Sequence, residues 1–236
     1  MRKYIYTILC GALAITLFSA CGGGTSSSTS TSSSSSSNEL FGNASGVVAE
    51  YIQKQADFQK EAEKKVAKMK DIEEGVKLQK ELDALEDEAK SKIDAAAKEL
   101  VGKKIPYEES DGLFFKITSE PVVTKAFANG SKAVSMDIVY RAAQKEAMEI
   151  DKLAYTDYPI CYKLVDANGT PLWAGMTYIV TGNTKPVKFE AGQDYGQDFN
   201  INLSISEKSV DKMKDAAKLI FISKTECEEV QKQLKK

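Results

Sequence analysis

From Asn43 to Leu100 the apolar residues recur mostly at steps of three and four. The first stripe is Val48, Tyr51, Ile52, Phe58, Ala62, Val66 and Met69. The second is Leu78, Leu82, Leu85, Ala89, Ile93, Ala96 and Leu100. Proline is absent from this segment, and the strong helix formers Ala, Glu, Lys, Leu and Gln dominate it. Such a period puts each stripe on one face of an amphipathic helix and leaves the charged residues to solvated faces. The two stripes are out of phase. Continuing Ala62-Val66-Met69 leads to positions 73, 76, 80 and 83, whereas the leucines stand at 78, 82 and 85. Between them lies KDIEEG, in which Asp71 and Glu74 have the spacing of an N-cap and its capping-box partner. The pattern therefore predicts two antiparallel helices, about 44–69 and 72–101, turning near Lys70-Asp71. The rival is one bent helix through Gly75. Its roughly 55 residues would span about 80 Å and leave one stripe wet unless a second molecule covered it.

Past Gly102, a candidate C-cap, the period becomes two. Leu113, Phe115 and Ile117 alternate with Phe114, Lys116 and Thr118. Val134, Met136, Ile138 and Tyr140 alternate with Ser135, Asp137, Val139 and Arg141. Ile160, Tyr162 and Leu164 alternate with Cys161, Lys163 and Val165, and Phe199, Ile201, Leu203 and Ile205 with Asn200, Asn202, Ser204 and Ser206. Each is the pattern of a half-buried antiparallel strand. Asn129-Gly130, Asn168-Gly169 and Gly182-Asn183 mark turns. Strands are expected at about 113–118, 122–127, 133–141, 159–166, 171–180, 187–190, 198–206 and 218–223. Glu207 to Ala216 has room for a turn or two of helix, and Thr225 to Lys236 reads as a charged C-terminal helix. The fold class is α+β in separate segments: an N-terminal antiparallel helical hairpin, then an antiparallel β-sandwich. Its strand layout over 105–224 resembles the immunoglobulin-like sandwiches of bacterial envelope lipoproteins. The resemblance implies a binding or scaffolding module and transfers no site residue.

The beginning of the chain has another character. Met1-Arg2-Lys3 is a positive n-region, Ile5 to Phe18 an apolar h-region, and Ser19-Ala20 are small. The run Leu17-Phe18-Ser19-Ala20-Cys21 resembles the lipobox of bacterial lipoproteins, in which the cysteine carries a diacylglycerol thioether and begins the mature chain. The alternative is an ordinary secretory signal with an incidental cysteine. Every residue from Gly22 to Ser37 is Gly, Ser or Thr. Nothing in such a run offsets the entropy of ordering it, so it serves as a tether with an r.m.s. reach of about 20–24 Å. The expected organisation is a signal peptide at 1–20, lipidated Cys21 and linker at 21–42, helical hairpin at 43–102, sandwich at 103–224 and helical tail at 225–236. Gly22 follows Cys21 where an Asp would resemble an inner-membrane retention signal. The expected location is the cell envelope, on the periplasmic face of the outer membrane.

Composition narrows the chemistry. The 236 residues carry 42% hydrophobic and 28% charged residues and a formal net charge of −2, an ordinary globular balance without the basic face of a nucleic-acid binder. Histidine is absent, which excludes Ser-His-Asp and Cys-His nucleophiles, HExxH zinc hydrolases and any His-ligated metal. Glu190, Asp194 and Asp198 lie within EAGQDYGQDFN, either as calcium ligands or as a solvated loop; the EF-hand spacing is missing. A carboxylate pair also serves glycosidases, although nothing places two across a cleft. Trp173, Tyr178 and Tyr195 stand either as a platform for sugar rings or as packing groups. Gly182 to Lys185 lacks the glycine spacing of a phosphate loop.

The reading is a non-enzymatic module without cofactor or metal. It is held to the membrane through lipid on Cys21, with a protein or glycan partner in the envelope and no nucleic acid. The alternatives are a carbohydrate- or calcium-dependent binding module and, after it, a carboxylate-dependent hydrolase. Of the four cysteines, Cys161 and Cys227 remain in the folded part. Ile160, Tyr162 and Leu164 claim the core face, so Cys161 points to the other, where the tail bearing Cys227 can lie. A disulfide is expected in an oxidising compartment, contributing about 4 kcal/mol in the chain-entropy model. The alternative is two separate thiols.

Overall fold

A computed structural model of the chain describes residues 40–69, 71–150, 158–180 and 186–235. The expected signal peptide, Cys21 and the Gly/Ser/Thr linker lie outside the described residues. So do Lys70 in the expected turn and the Gly182–Lys185 segment.

Two helices open the described chain, α1 (Gly42–Val66) and α2 (Ile72–Lys98). The Asp71 carboxylate accepts the Glu74 N–H at 3.0 Å, which caps α2 as the KDIEEG spacing requires. Residues 53–88 make one compact unit, with Ala62 and Leu78 buried in it and Lys65 paired with Glu81 at 3.5 Å. The second unit takes the described residues up to Ile52 and everything from Ala89 onward. The division thus runs through both helices. Leu40, Phe41, Ala44 and Val48 from the start of α1, and Ile93, Ala96, Ala97 and Leu100 from the end of α2, belong to the core that the strands build. The Leu40 N–H donates to the Ala216 carbonyl at 2.7 Å and ties the first described residue to the segment before β11.

The strands are β1 (Tyr107–Glu109), β2 (Phe115–Ile117), β3 (Val122–Ala128), β4 (Ala133–Tyr140), β5 (Ala142–Gln144), β6 (Met148–Ile150), β7 (Pro159–Val165), β8 (Pro171–Tyr178), β9 (Val187–Phe189), β10 (Phe199–Ser206) and β11 (Lys218–Ile222). The short helix α3 (Val210–Met213) precedes β11, and α4 (Lys224–Leu234) follows it. The eight strands expected from alternation are all present. The other three, β1, β5 and β6, have three residues each and stand outside the alternating runs.

They form a four-stranded sheet β1-β11-β7-β8, a three-stranded sheet β10-β4-β3, and the pairs β2-β5 and β6-β9. One pairing departs from the antiparallel expectation: β1 runs parallel to β11. Alternation tells which face a residue takes but not the direction of its neighbour, and β1 meets β11 only through a partner more than a hundred residues away.

Register explains the core. Phe199, Ile201, Leu203 and Ile205 stand directly opposite Tyr140, Ile138, Met136 and Val134, and all eight are buried. The polar residues share the opposite face, where Asn202 donates to Asp137 at 2.6 Å and the Ser135 hydroxyl to Ser204 at 3.2 Å. A one-residue slip would turn every one of these over. The two larger sheets meet at a half-buried hydrogen bond of 2.7 Å between the Tyr140 hydroxyl and Thr177 Oγ1. The β7–β8 turn is held by Asp166, which accepts the N–H groups of Asn168 and Thr170, each at 2.8 Å, while Gly169 supplies φ +84°.

Two outcomes test this packing. Phe41 is completely buried, so Phe41→Ala is expected to lower unfolding stability by about 3–5 kcal/mol in a denaturant titration, with loss of strand as well as helix signal. The Thr170 N–H, first among several donors, holds the Asp166 carboxyl below the usual carboxylate range. Asp166 therefore contributes stability above its unfolded pKa of about 3.9, and the contribution is lost as pH falls through the folded value. The stability gap between wild type and Asp166→Asn should be largest near neutrality and close in stronger acid. A gap that does not change with pH would contradict this.

Candidate functional site

Four places in the structure gather polar or reactive groups. The first is the turn that contains the acidic residues singled out above. Asp194 accepts from Arg141 Nη2 at 2.9 Å, from the Gly196 N–H at 2.7 Å and from Thr118 Oγ1 at 3.4 Å. Asp198 lies 3.8 Å from Arg141 Nε, and Glu190 pairs instead with Lys188 at 3.3 Å. Arg141 thus draws Asp194 and Asp198 together, and Glu190 stays apart. Oxygen atoms that accept from a guanidinium and a backbone N–H are committed as acceptors and face a resident positive charge. Among the described residues no three His, Cys, Asp or Glu side chains are grouped to hold a metal ion.

Beside that turn, Gln144 is buried in β5. Its Oε1 accepts from the Tyr195 hydroxyl at 2.7 Å and its Nε2 donates to the Phe114 carbonyl at 3.1 Å. Burial pushes the Tyr195 hydroxyl well above its ordinary pKa, so it stays a donor. The sequence offered little sign of Gln144 or Arg141. A glutamine after two alanines and an arginine at a strand end gain their roles only when the 190–198 segment folds against them.

The aromatic residues do not share one surface. Tyr195 is buried edge-to-face on Phe189, with ring centroids 5.1 Å apart. Trp173 leans on Tyr162 at 5.5 Å and covers Gly175, while Tyr178 is exposed at the end of β8. A Cβ at Gly175 would stand 2.2 Å from the Trp173 ring. Glycine is required there because the indole takes the space of a side chain.

The third place lies within the 53–88 unit. An open groove of about 330 Å³ has Met69 and Leu78 among its lining, with Lys65, Lys68, Lys77, Glu74 and Glu81 around them. Ile72 and Val76, in the first turns of α2, are exposed at 61% and 49%.

The fourth is a pair of sulfurs. Ile160, Tyr162 and Leu164 enter the main core, and Cys161 enters a second one with Ala174, Ile222, Cys227 and Val230. That second core lies under α4, whose N-cap Ser223 accepts the Glu226 N–H at 3.2 Å. Lys163 reaches Glu226 at 2.6 Å and fastens the first turn of α4 to β7. Cys161 and Cys227 are both fully buried, and both are thiols. They lie in the same buried cluster, and Cys227 Sγ donates to the Gly175 carbonyl at 3.5 Å. Burial, then the neighbouring sulfur, pushes the Cys161 thiol up to about 12, and burial raises Cys227 as well.

No helix among the described residues is long and apolar enough to cross a membrane. Comparison of the chain with protein-family models, with curated proteins and with solved structures finds no match.

The Trp173–Gly175 contact makes a direct prediction. Gly175→Ala should destabilise the chain by about 1–3 kcal/mol, the usual range for overpacking. In a Trp173→Ala background the same change should cost much less. Equal costs in the two backgrounds, measured by thermal or denaturant unfolding, would show that the indole is not the obstacle.

Proposed function

We propose that this chain is a lipid-anchored protein of the cell envelope that binds or spaces other envelope components without catalysing a reaction. The observation that carries the reading is the run Leu17-Phe18-Ser19-Ala20-Cys21 and the sixteen Gly, Ser and Thr residues after it. A diacylated cysteine gains about 0.8 kcal/mol for each methylene buried in the bilayer. A linker with nothing to bury then lets a folded body stand away from the headgroups. Leu40 and Phe41, just beyond that linker in sequence, are buried, which fits a tether ending at a fixed attachment point. We place the protein at the outer membrane, facing the periplasm, because Gly22 follows Cys21 and no acidic cluster comes next.

The finer architecture belongs to the same proposal. The helix pair is taken as an antiparallel hairpin, and the strand-rich body as an immunoglobulin-like sandwich whose two main sheets share one core. A binding role is supported by Ile72 and Val76, one turn apart on α2 and both exposed, since apolar side chains left in water together favour a protein partner. A non-catalytic role is supported by the engagement of Asp194 and Asp198 with Arg141.

Cys21→Ser tests the anchor. Wild-type protein should incorporate labelled fatty acid and sediment with membranes, and the variant should do neither. A variant that sediments with membranes to the wild-type extent would overturn the anchor. Protease added to intact cells should spare the wild-type protein; its rapid loss would move it to the outer surface.

A further inference from the structure

We infer that Cys161 and Cys227 close an intramolecular disulfide that locks α4 onto the outer face of the four-stranded sheet. Three observations converge. Cys161 stands in β7 on the face away from the main core, opposite Ile222 in β11. Five residues beyond Ile222, after a tight strand-to-helix connection capped by Ser223, the chain brings Cys227 down onto that face. The two cysteines share one buried apolar cluster with Ala174, Ile222 and Val230, and the charges of Lys224, Glu226 and Glu228 act on them from α4.

The packing also says when the bond must form. Both thiols are fully buried and held protonated by that burial, and exchange proceeds through the thiolate. An oxidant therefore reaches them while α4 is not yet docked, or when it lifts. The oxidant is a disulfide, carried by a protein or a small molecule. One thiol loses its proton and attacks that disulfide, giving a mixed disulfide and releasing one thiol of the oxidant. The second thiol loses its proton and attacks the mixed disulfide, forming the Cys161–Cys227 bond and releasing the oxidant's other half as a thiol. Two electrons and two protons pass from the cysteine pair to the oxidant. Once α4 is docked, the sealed bond is shielded from reductants by the same packing. The inference stands on packing alone, so failure of the proposed lipid anchor would leave it untouched.

The test uses the full chain carrying Cys10→Ser and Cys21→Ser, so that Cys161 and Cys227 are its only thiols. One sample is refolded from denaturant with oxidised glutathione, and another is incubated folded with the same reagent. Both are then denatured, alkylated and weighed by mass spectrometry. The refolded sample is expected to lose both alkylatable thiols and the mass of two hydrogens, and to regain both thiols on reduction. Amides of α4 should then exchange hydrogen more slowly in the oxidised than in the reduced protein. Two thiols still alkylated in both samples would overturn the inference. Glutathione attached to each cysteine, or a disulfide-linked dimer on a non-reducing gel, would overturn it equally.

Discussion

The ring of Phe221 is the contact on which the strand-rich body turns. It lies 5.0 Å from Tyr140, 6.0 Å from Tyr107, 6.1 Å from Phe115 and 6.5 Å from Tyr162, measured between ring centroids. Those rings come from β1, β2, β4 and β7, and Phe221 itself from β11. Strands from the four-stranded sheet, the three-stranded sheet and one of the small pairs therefore meet at one fully buried side chain. Most of these contacts are tilted or edge-to-face, in which the positive edge of one ring meets the negative face of another. The Tyr140 hydroxyl, raised in pKa by burial, hydrogen-bonds Thr177, so the polar atom that Tyr140 carries into the core has a partner.

Strand β11 can hold that position because its sheet is covered on both faces. One face enters the aromatic core. The other carries Cys161, Ala174 and Ile222, and would be an apolar surface in water without α4. The C-terminal helix is thus part of the sheet's burial, and the Lys163–Glu226 ion pair sets its first turn. With Lys163 only 16% exposed, the pair sits where screening by salt is weaker than at an open surface. It contributes orientation more surely than stability, because desolvation offsets much of the attraction.

The acidic turn shows how position governs chemistry. In the sequence, Glu190, Asp194 and Asp198 are equivalent members of one glycine-containing loop. In the fold, Arg141 at the end of β4 takes two of them, and Lys188 takes the third. The aromatic residues divide in the same way, with Tyr195 drawn inside by Gln144, Trp173 laid over a glycine and Tyr178 left outside.

The sequence by itself determined the local structure and which side chains face the main core; that the other face of β7 is buried too was left to the fold. The three-and-four spacing placed both helices, Asp71 set the start of α2, and the period of two named the inward side chains of β4, β7 and β10 before any pairing was known. Those signals are local because a helix face or a strand face is decided by neighbours a few residues apart. Only the tertiary structure decided that β1 would run parallel to β11, that three-residue strands would form at 107, 142 and 148, that both helices would give their outer turns to the strand core, and that Arg141 and Gln144 would organise the 190–198 segment. Each of these depends on residues tens to more than a hundred positions apart. Their pairing carries no period along the chain, and is chosen by which exposed edge or unburied face remains when the rest has folded.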